Sequence, residues 1–151
     1  MTTAAGPGID SEITWLLHRA AQRLSVVIGE QAEKHGLTLR DHIILSSLDK
    51  WPGLTQIELA KTVGLDKTTL MSQLDRLEQQ GLVARRPDPR DRRARIPELT
   101  PAGDQRRTEV ARASAGAESE MLSVFSPADV AVFRRMLFEL IGDHADPGSC
   151  L

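Results

Sequence analysis

Two sets of side chains in this sequence have types and spacings that could do chemistry on a polyanion. Six arginines fall between positions 85 and 95 (85, 86, 90, 92, 93 and 95) against two aspartates, Asp88 and Asp91. That is a local excess of four positive charges in a chain of net charge −2. A guanidinium is always charged and presents a planar fork of donors, which suits phosphate oxygens and the electronegative floor of a narrow minor groove. Just upstream, Thr68, Thr69 and Ser72 gather three short hydroxyl side chains. Short hydroxyls let a helix sink into the major groove, where they hydrogen-bond base edges and a threonine methyl can touch thymine. A basic patch on a near-neutral chain is the footprint of a duplex binder, with an ordinary solvated turn as its alternative.

Such residues need a scaffold. Residues 54–103, LTQIELAKTVGLDKTTLMSQLDRLEQQGLVARRPDPRDRRARIPELTPAG, supply one. Thr55 is placed to N-cap a helix from Gln56 to about Val63, with Ile57, Leu59, Ala60 and Val63 turned inward. Gly64 permits a tight turn, and Asp66 caps the next helix. There Leu70, Leu74 and Leu77 share one face, while Thr68, Ser72, Asp75, Arg76 and Gln79 lie roughly opposite with Thr69 on the flank. N-terminal residues of a recognition helix reach base edges, so Thr68, Thr69 and Ser72 are assigned to bases, with first-turn capping as the alternative. Thr55, Gln56, Lys67, Gln73 and Arg76 are assigned to phosphates, which fix register without reading sequence. After Gly81, Leu82-Val83 begins a strand that Pro87-Asp88-Pro89 turns. Arg90 to Arg95 form the tip and return of a hairpin ending at Leu99. Arg90 and Arg92 are the candidates for minor-groove entry, and Asp88 or Asp91 is expected to hold an arginine in an ion pair. Arg93 stands with them as a wing contact; for it and Arg95 the alternative is pairing on the protein surface.

The remainder reads as helices. Apolar residues from Ile13 to Ala32 form an i, i+3, i+4, i+7 stripe between Ser11 and about His35, and Gly36 supplies a stop. A second helix from about Thr38 carries Leu39, Ile43, Leu45 and Leu48 until Pro52-Gly53 breaks it. Thr100-Pro101 and Ser126-Pro127 repeat one opening signal, a hydroxyl cap followed by proline, and Asp129 sits at capping-box spacing. These helices are expected to reach about Val124 and about His144, the last with Val130, Phe133, Leu137, Leu140 and Ile141 on one face. The fold class is mainly α with a small β-wing: a winged helix-turn-helix over residues 37–100, flanked by a helical dimerisation region at 11–36 and 101–145. Residues 1–10 and 146–151 are expected to be flexible termini. A homodimer would bury the flanking stripes and set two recognition helices one DNA turn apart; a monomeric bundle that satisfies them internally is the alternative.

Composition narrows the function classes. No apolar run approaches about 18 residues, so no membrane partner is expected, and Met1 to Gly8 lacks the pattern of a signal peptide. One cysteine, Cys150, excludes an internal disulfide and fits a reducing cytoplasm. With three Phe, two Trp and no Tyr there is little on which single-stranded bases could stack. No phosphate loop, nucleophile elbow or metal-ligand spacing appears, so no enzyme and no cofactor are expected. The histidines at 18, 35, 42 and 144 are scattered, which supports no metal site.

Residues 54–103 resemble the MarR (multiple antibiotic resistance regulator) family, through the helix-turn-helix and above all through Asp-Pro-Arg-Asp-Arg-Arg followed by Leu-Thr-Pro-Ala-Gly. His35-Gly36-Leu37-Thr38 and Leu45-Ser46-Ser47-Leu48 extend the likeness, which covers about residues 11–145. The resemblance implies a triangular winged-helix homodimer that represses its own or adjacent genes from double-stranded operator DNA, and that small aromatic or anionic ligands release. It puts Thr68, Thr69 and Ser72 on base-reading positions and Arg90 on the wing tip. It also implies a pocket beside the first two helices, for which Trp15, His18, Arg19 and His42 are the candidates. The family's peroxide-sensing branch uses a cysteine near the start of the first helix, and this chain has none there. The rival readings are a winged-helix adaptor that docks proteins and a non-specific architectural DNA binder.

Overall fold

The computed structural model describes residues 8–142. A 3-10 turn at Ile9–Ser11 leads into α1 (Ile13–Glu33), followed by α2 (Leu39–Lys50), α3 (Gln56–Val63), α4 (Lys67–Gln79), β1 (Val83–Asp88), β2 (Asp91–Leu99), α5 (Pro101–Met121) and α6 (Pro127–Ile141). The expectations for Cys150, His144 and the outermost residues of both termini fall outside the described residues.

Local chemistry sets most of these boundaries. Thr38 and Thr55 each accept the N–H three residues on, and Asp41 and Glu58 return the bond to the cap N–H, so α2 and α3 open on complete capping boxes. Thr100 and Ser126 cap α5 and α6, each followed by proline at the first helical position. Three helices stop by one device. Gly36, Gly64 and Gly81 adopt positive φ, and the leucine that follows each sends its N–H back to Ala32, Ala60 or Leu77. This is the Schellman ending, which needs a residue tolerant of the left-handed region. Each leucine then packs on the core, so the stop also anchors the next connection.

The core is formed by α2, α3 and α4, Leu82 at the foot of the wing, the strand residues Val83 and Ile96, and Ala32 and Val110 from the flanking helices. Leu70, Leu74 and Leu77 are buried on α4 as the spacing requires. One expectation fails. Ile57 is 55% exposed; at about 100° per residue it lies some 200° around α3 from Leu59, opposite the buried face. On α2 the buried stripe is Asp41, Ile44, Leu45 and Leu48, with Ile43 only partly covered. An aspartate holds the first position of that stripe, so an apolar-only pattern misses its phase. The first of the two C-terminal helices is also shorter than expected, α5 ending at Met121.

The two strands form an antiparallel hairpin with Val83 opposite Leu99 and Pro87 opposite Arg95. Thr100 closes its base: its N–H donates to Leu82 O at 3.2 Å, its hydroxyl donates to Gly81 O at 2.6 Å, and its oxygen accepts the Gly103 N–H at 3.0 Å. The first turn of α5 is thereby drawn onto Leu82. A Cβ at Gly103 would sit 2.0 Å from Leu82 O, which no side chain tolerates. This close approach is the physical content of Leu-Thr-Pro-Ala-Gly.

The flanking helices are different in kind. No residue of α6 is buried, and α1 buries only Ala32. Among the described residues no helix is long and apolar enough to cross a membrane.

Candidate nucleic-acid interface

The first turn of α4 is built on its cap. Asp66 accepts the Thr69 N–H at 2.9 Å and the Thr69 hydroxyl at 2.5 Å. Those bonds, the hydroxyl's first, hold the Asp66 carboxyl below its ordinary pKa. They also fix the Thr69 side chain with its hydroxyl toward Asp66. Lys67, Thr68 and Ser72 stand exposed beside it. The turn therefore presents two free hydroxyls, a cation and a helix N-terminus, where the helix dipole favours an anion.

Gln73 and Arg76 depart from the phosphate role expected of them. Arg76 donates from both terminal nitrogens to Asp41, at 3.0 Å to one oxygen and 2.5 Å to the other, and it also bonds Gln73. Asp41 is fully buried and accepts the Thr38 N–H at 2.8 Å as well. A buried carboxylate needs a cation, and Arg76 is the one within reach. This pair therefore ties α4 to the start of α2. The sequence did hold a signal for it: a charged residue in phase with Ile44, Leu45 and Leu48.

Before α4, Thr55 serves the α3 capping box, and Gln56 accepts a bond from Arg85 at 3.4 Å. The Thr55 backbone and hydroxyl bonds, in that order, lower the Glu58 pKa, with burial opposing them and Arg90 adding a smaller pull.

At the wing tip a two-residue turn, Pro89-Arg90, joins the strands. Asp88 shapes it: one oxygen accepts the Arg90 N–H at 2.9 Å and Nε–H at 3.2 Å, and the other accepts the terminal N–H at 3.3 Å. The Arg90 side-chain bond is the largest cause of a lowered Asp88 pKa. The expected ion pair of a wing aspartate is thus Asp88 with Arg90, whose side chain stays 71% exposed at the tip. Asp91 instead accepts the Arg93 N–H at 2.9 Å. The register slips here, because Asp88 faces Asp91 while Pro87 faces Arg95. Arg92, Arg93 and Ala94 bulge out of the ladder as a result, and Arg95 holds the bulge by bonding the Arg92 and Ala94 carbonyls. Arg92 and Arg93 are exposed. Arg86 pairs with Glu98 on the wing surface.

The ligand candidates divide into two places. Trp15 and His18 stack at 6.2 Å, and the Arg19 guanidinium lies 5.7 Å from the Trp15 ring centre. His42 is elsewhere. α2 meets α1 near Gly29, which a rise of about 1.5 Å per residue puts roughly 20 Å along the axis from Trp15. The Nδ1 of His42 is buried without a partner, and burial first, then Arg107, lowers its pKa. A groove of about 610 Å³ between α1, α5 and α6 is lined by other residues, among them Arg23, Leu24, Phe125 and Phe133. No group of three metal-ligating side chains occurs among the described residues.

Hydroxyl turn, basic hairpin and close-packed helical core together define a winged helix-turn-helix protein. Residues 35–94 match the MarR family. It is 34% identical over 95 residues to the HTH-type transcriptional repressor NicR of Pseudomonas putida, a match covering 63% of this chain and 60% of that protein. It is 33% identical over 100 residues to the HTH-type transcriptional repressor MdtR of Bacillus subtilis, covering 66% and 64%. The chain thus spans under two thirds of each repressor. The crystal structure of a MarR-family transcriptional regulator from Rhodococcus sp. RHA1 superimposes with a TM-score of 0.81 at 24% identity, covering 89% of this chain and 96% of that one; it shares the fold.

Proposed function

We propose that this chain is a transcriptional repressor that binds double-stranded operator DNA sequence-specifically, as a cytoplasmic homodimer on a pseudo-palindromic site. The observation that carries the reading is the pairing of an exposed hydroxyl turn on α4 with an exposed, aspartate-held Arg90 on the wing. Thr68 and Ser72 take the base edges by their hydroxyls and Thr69 by its methyl, since its hydroxyl is engaged by Asp66. Lys67, Arg92 and Arg93, with the first turn of α3 at Thr55 and Gln56, take phosphates. The likeness to two proteins named transcriptional repressors supports the same reading. The homodimer is supported by the apolar residues that α1 and α6 leave uncovered.

A small aromatic anion is the effector class we assign, with the ring face of Trp15 and the Arg19 cation as its recognition chemistry. Such a ligand releases DNA only by binding the DNA-incompetent dimer more tightly.

The test is selection of bound sequences from random duplex DNA, with the mass of the species measured alongside. A pseudo-palindrome with half-sites about one helical turn apart is the expected result. Enrichment of no sequence, with weak salt-sensitive binding, would leave a non-specific architectural protein; salt-insensitive binding of a protein partner would leave the adaptor.

A further inference from the structure

Arg85 has the most closed surroundings of the wing arginines, with 16% of its side chain exposed. All three of its nitrogens are engaged. Nε and one terminal nitrogen donate to Glu78 at 3.1 and 2.5 Å, that same terminal nitrogen donates to Asp75 at 2.6 Å, and the other donates to Gln56 at 3.4 Å. Asp75 and Glu78 lie three residues apart on α4, hence on one face, and Gln56 opens α3. One planar guanidinium on β1 therefore meets acceptors from both helices of the helix-turn-helix.

We propose that Arg85 is a positioning residue of the reading head, fixing the angle between wing and α4 so that the Arg90 tip and the hydroxyl turn meet one duplex together. The proposal rests on the reading of α4 and the wing as the DNA-facing parts. As a device for attracting DNA the cluster would be self-defeating, because two carboxylates around one guanidinium leave a net negative charge beside a helix that faces phosphates. As a brace it is well formed, since a guanidinium bound through several nitrogens fixes direction as well as distance. The wing has use for one. Pro87 and Pro97 lack the N–H that a ladder bond needs, and Pro97 stands directly opposite Arg85. Side chains therefore carry part of the wing's orientation.

The experiment uses a duplex that the wild-type chain enriches from a random pool, with variants compared at equal folded fraction. Arg85→Met is expected to weaken binding about tenfold, with the slope of log affinity against log salt falling only together with hydroxyl-radical protection under the wing, because the wing's phosphate contacts go with its orientation. A slope reduced by about one with wing protection intact would make Arg85 a phosphate ligand and overturn the proposal. Glu78→Gln separates the two ideas by sign, and its shape change is small enough to spare folding. If the carboxylate merely repels DNA, removing its charge tightens binding. The brace requires weakening, by roughly 3- to 10-fold, with hydroxyl-radical protection lost under the wing and methylation interference kept in the major groove. Equal or tighter binding with full wing protection overturns it. Failure of the wild-type chain to enrich any duplex would strike the DNA reading itself and leave the geometry of the brace untouched.

Discussion

The head, from α2 to the end of the wing, and the stalk, formed by α1, the far end of α5 and α6, solve the same folding problem differently. In the head, polar groups close on one another within the chain: Asp41 on Arg76, Asp88 on Arg90, Arg85 on Asp75 and Glu78, Thr100 on Gly81. Its leucines fill the space beneath. In the stalk most polar groups are on the surface, Ser114 excepted, and so are many apolar ones, with Phe138 at 71% and Leu140 at 67% exposure. The helix pair leaves such residues in water, whereas the head has little left to satisfy except its outward hydroxyls and arginines. A closed head is thus joined to a stalk with open apolar faces, and the two should respond to mutation in opposite ways.

The largest expected effect tests the stalk. Leu140→Glu with Ile141→Glu, neighbours on one face of α6 that are 67% and 64% exposed, is harmless if those positions face solvent, and severe if a second copy covers them. At about 1.5–3 kcal/mol for each buried side chain, and with every change counted on both protomers, the pair should weaken association by at least about 6 kcal/mol, more than about ten-thousandfold. Sedimentation at micromolar concentration is expected to give half the wild-type mass. The control lies in the head, where Ile57→Glu at an exposed site should keep the mass and move stability by less than about 0.5 kcal/mol. An unchanged mass for the double variant would give α6 to solvent and remove the homodimer.

The next effect tests how closed the head is. Arg76→Ala leaves the Asp41 carboxylate buried with only its cap N–H. Loss of one partner from a buried pair costs about 3–5 kcal/mol, and we expect about 2–4 because the Arg76 side chain is 39% open to water. Denaturant unfolding should show the loss, and Asp41→Asn with Arg76→Met should recover part of it by removing both charges. Were Arg76 a phosphate ligand instead, the single change would spare stability and reduce the salt dependence of DNA binding.

Much of the head was legible in the sequence because its signals are local. A cap precedes its helix by one residue, a Schellman glycine follows by one to three, and Asp88 reaches Arg90 across a single turn. The exposed hydroxyls of α4 also follow from angle alone. What sequence reasoning missed depends on long-range contact. Arg76 looked like a phosphate ligand because the partner that claims it lies 35 residues away. Arg85 looked like one more wing charge because its acceptors sit on two other helices, and the close approach of Gly103 to Leu82 O crosses from α5 to the base of the wing. In the stalk, apolar spacing located the helices, yet it carries no information on whether the cover comes from the same chain. The ligand candidates failed to gather for the related reason that Trp15 and His42 lie on different helices, and α2 meets α1 near Gly29, well along α1 from Trp15.

His42 offers the smallest effect, and it probes the seam between head and stalk. It lies on α2 with Nδ1 buried and unpartnered, and Arg107 on α5 faces it while bonding Asp104 and Asp49. Burial and that guanidinium both disfavour the charged ring, so its folded pKa falls below the ordinary value near 6.5. The unfolded chain then takes up a proton that the folded chain refuses. Stability is full above the ordinary value and is lost as pH falls from there toward the folded pKa. Melting between pH 7.5 and 5.5 should therefore show a decline smaller than the Arg76 effect, and His42→Gln should flatten it over that range. The carboxylates of the head, Glu58, Asp66, Glu78 and Asp88, are shifted downward, so their contribution is lost only below the ordinary carboxylate range. That separation in pH makes the assignment clean: a decline above pH 5.5 that survives His42→Gln belongs to another group, and the seam between α2 and α5 is then indifferent to protons.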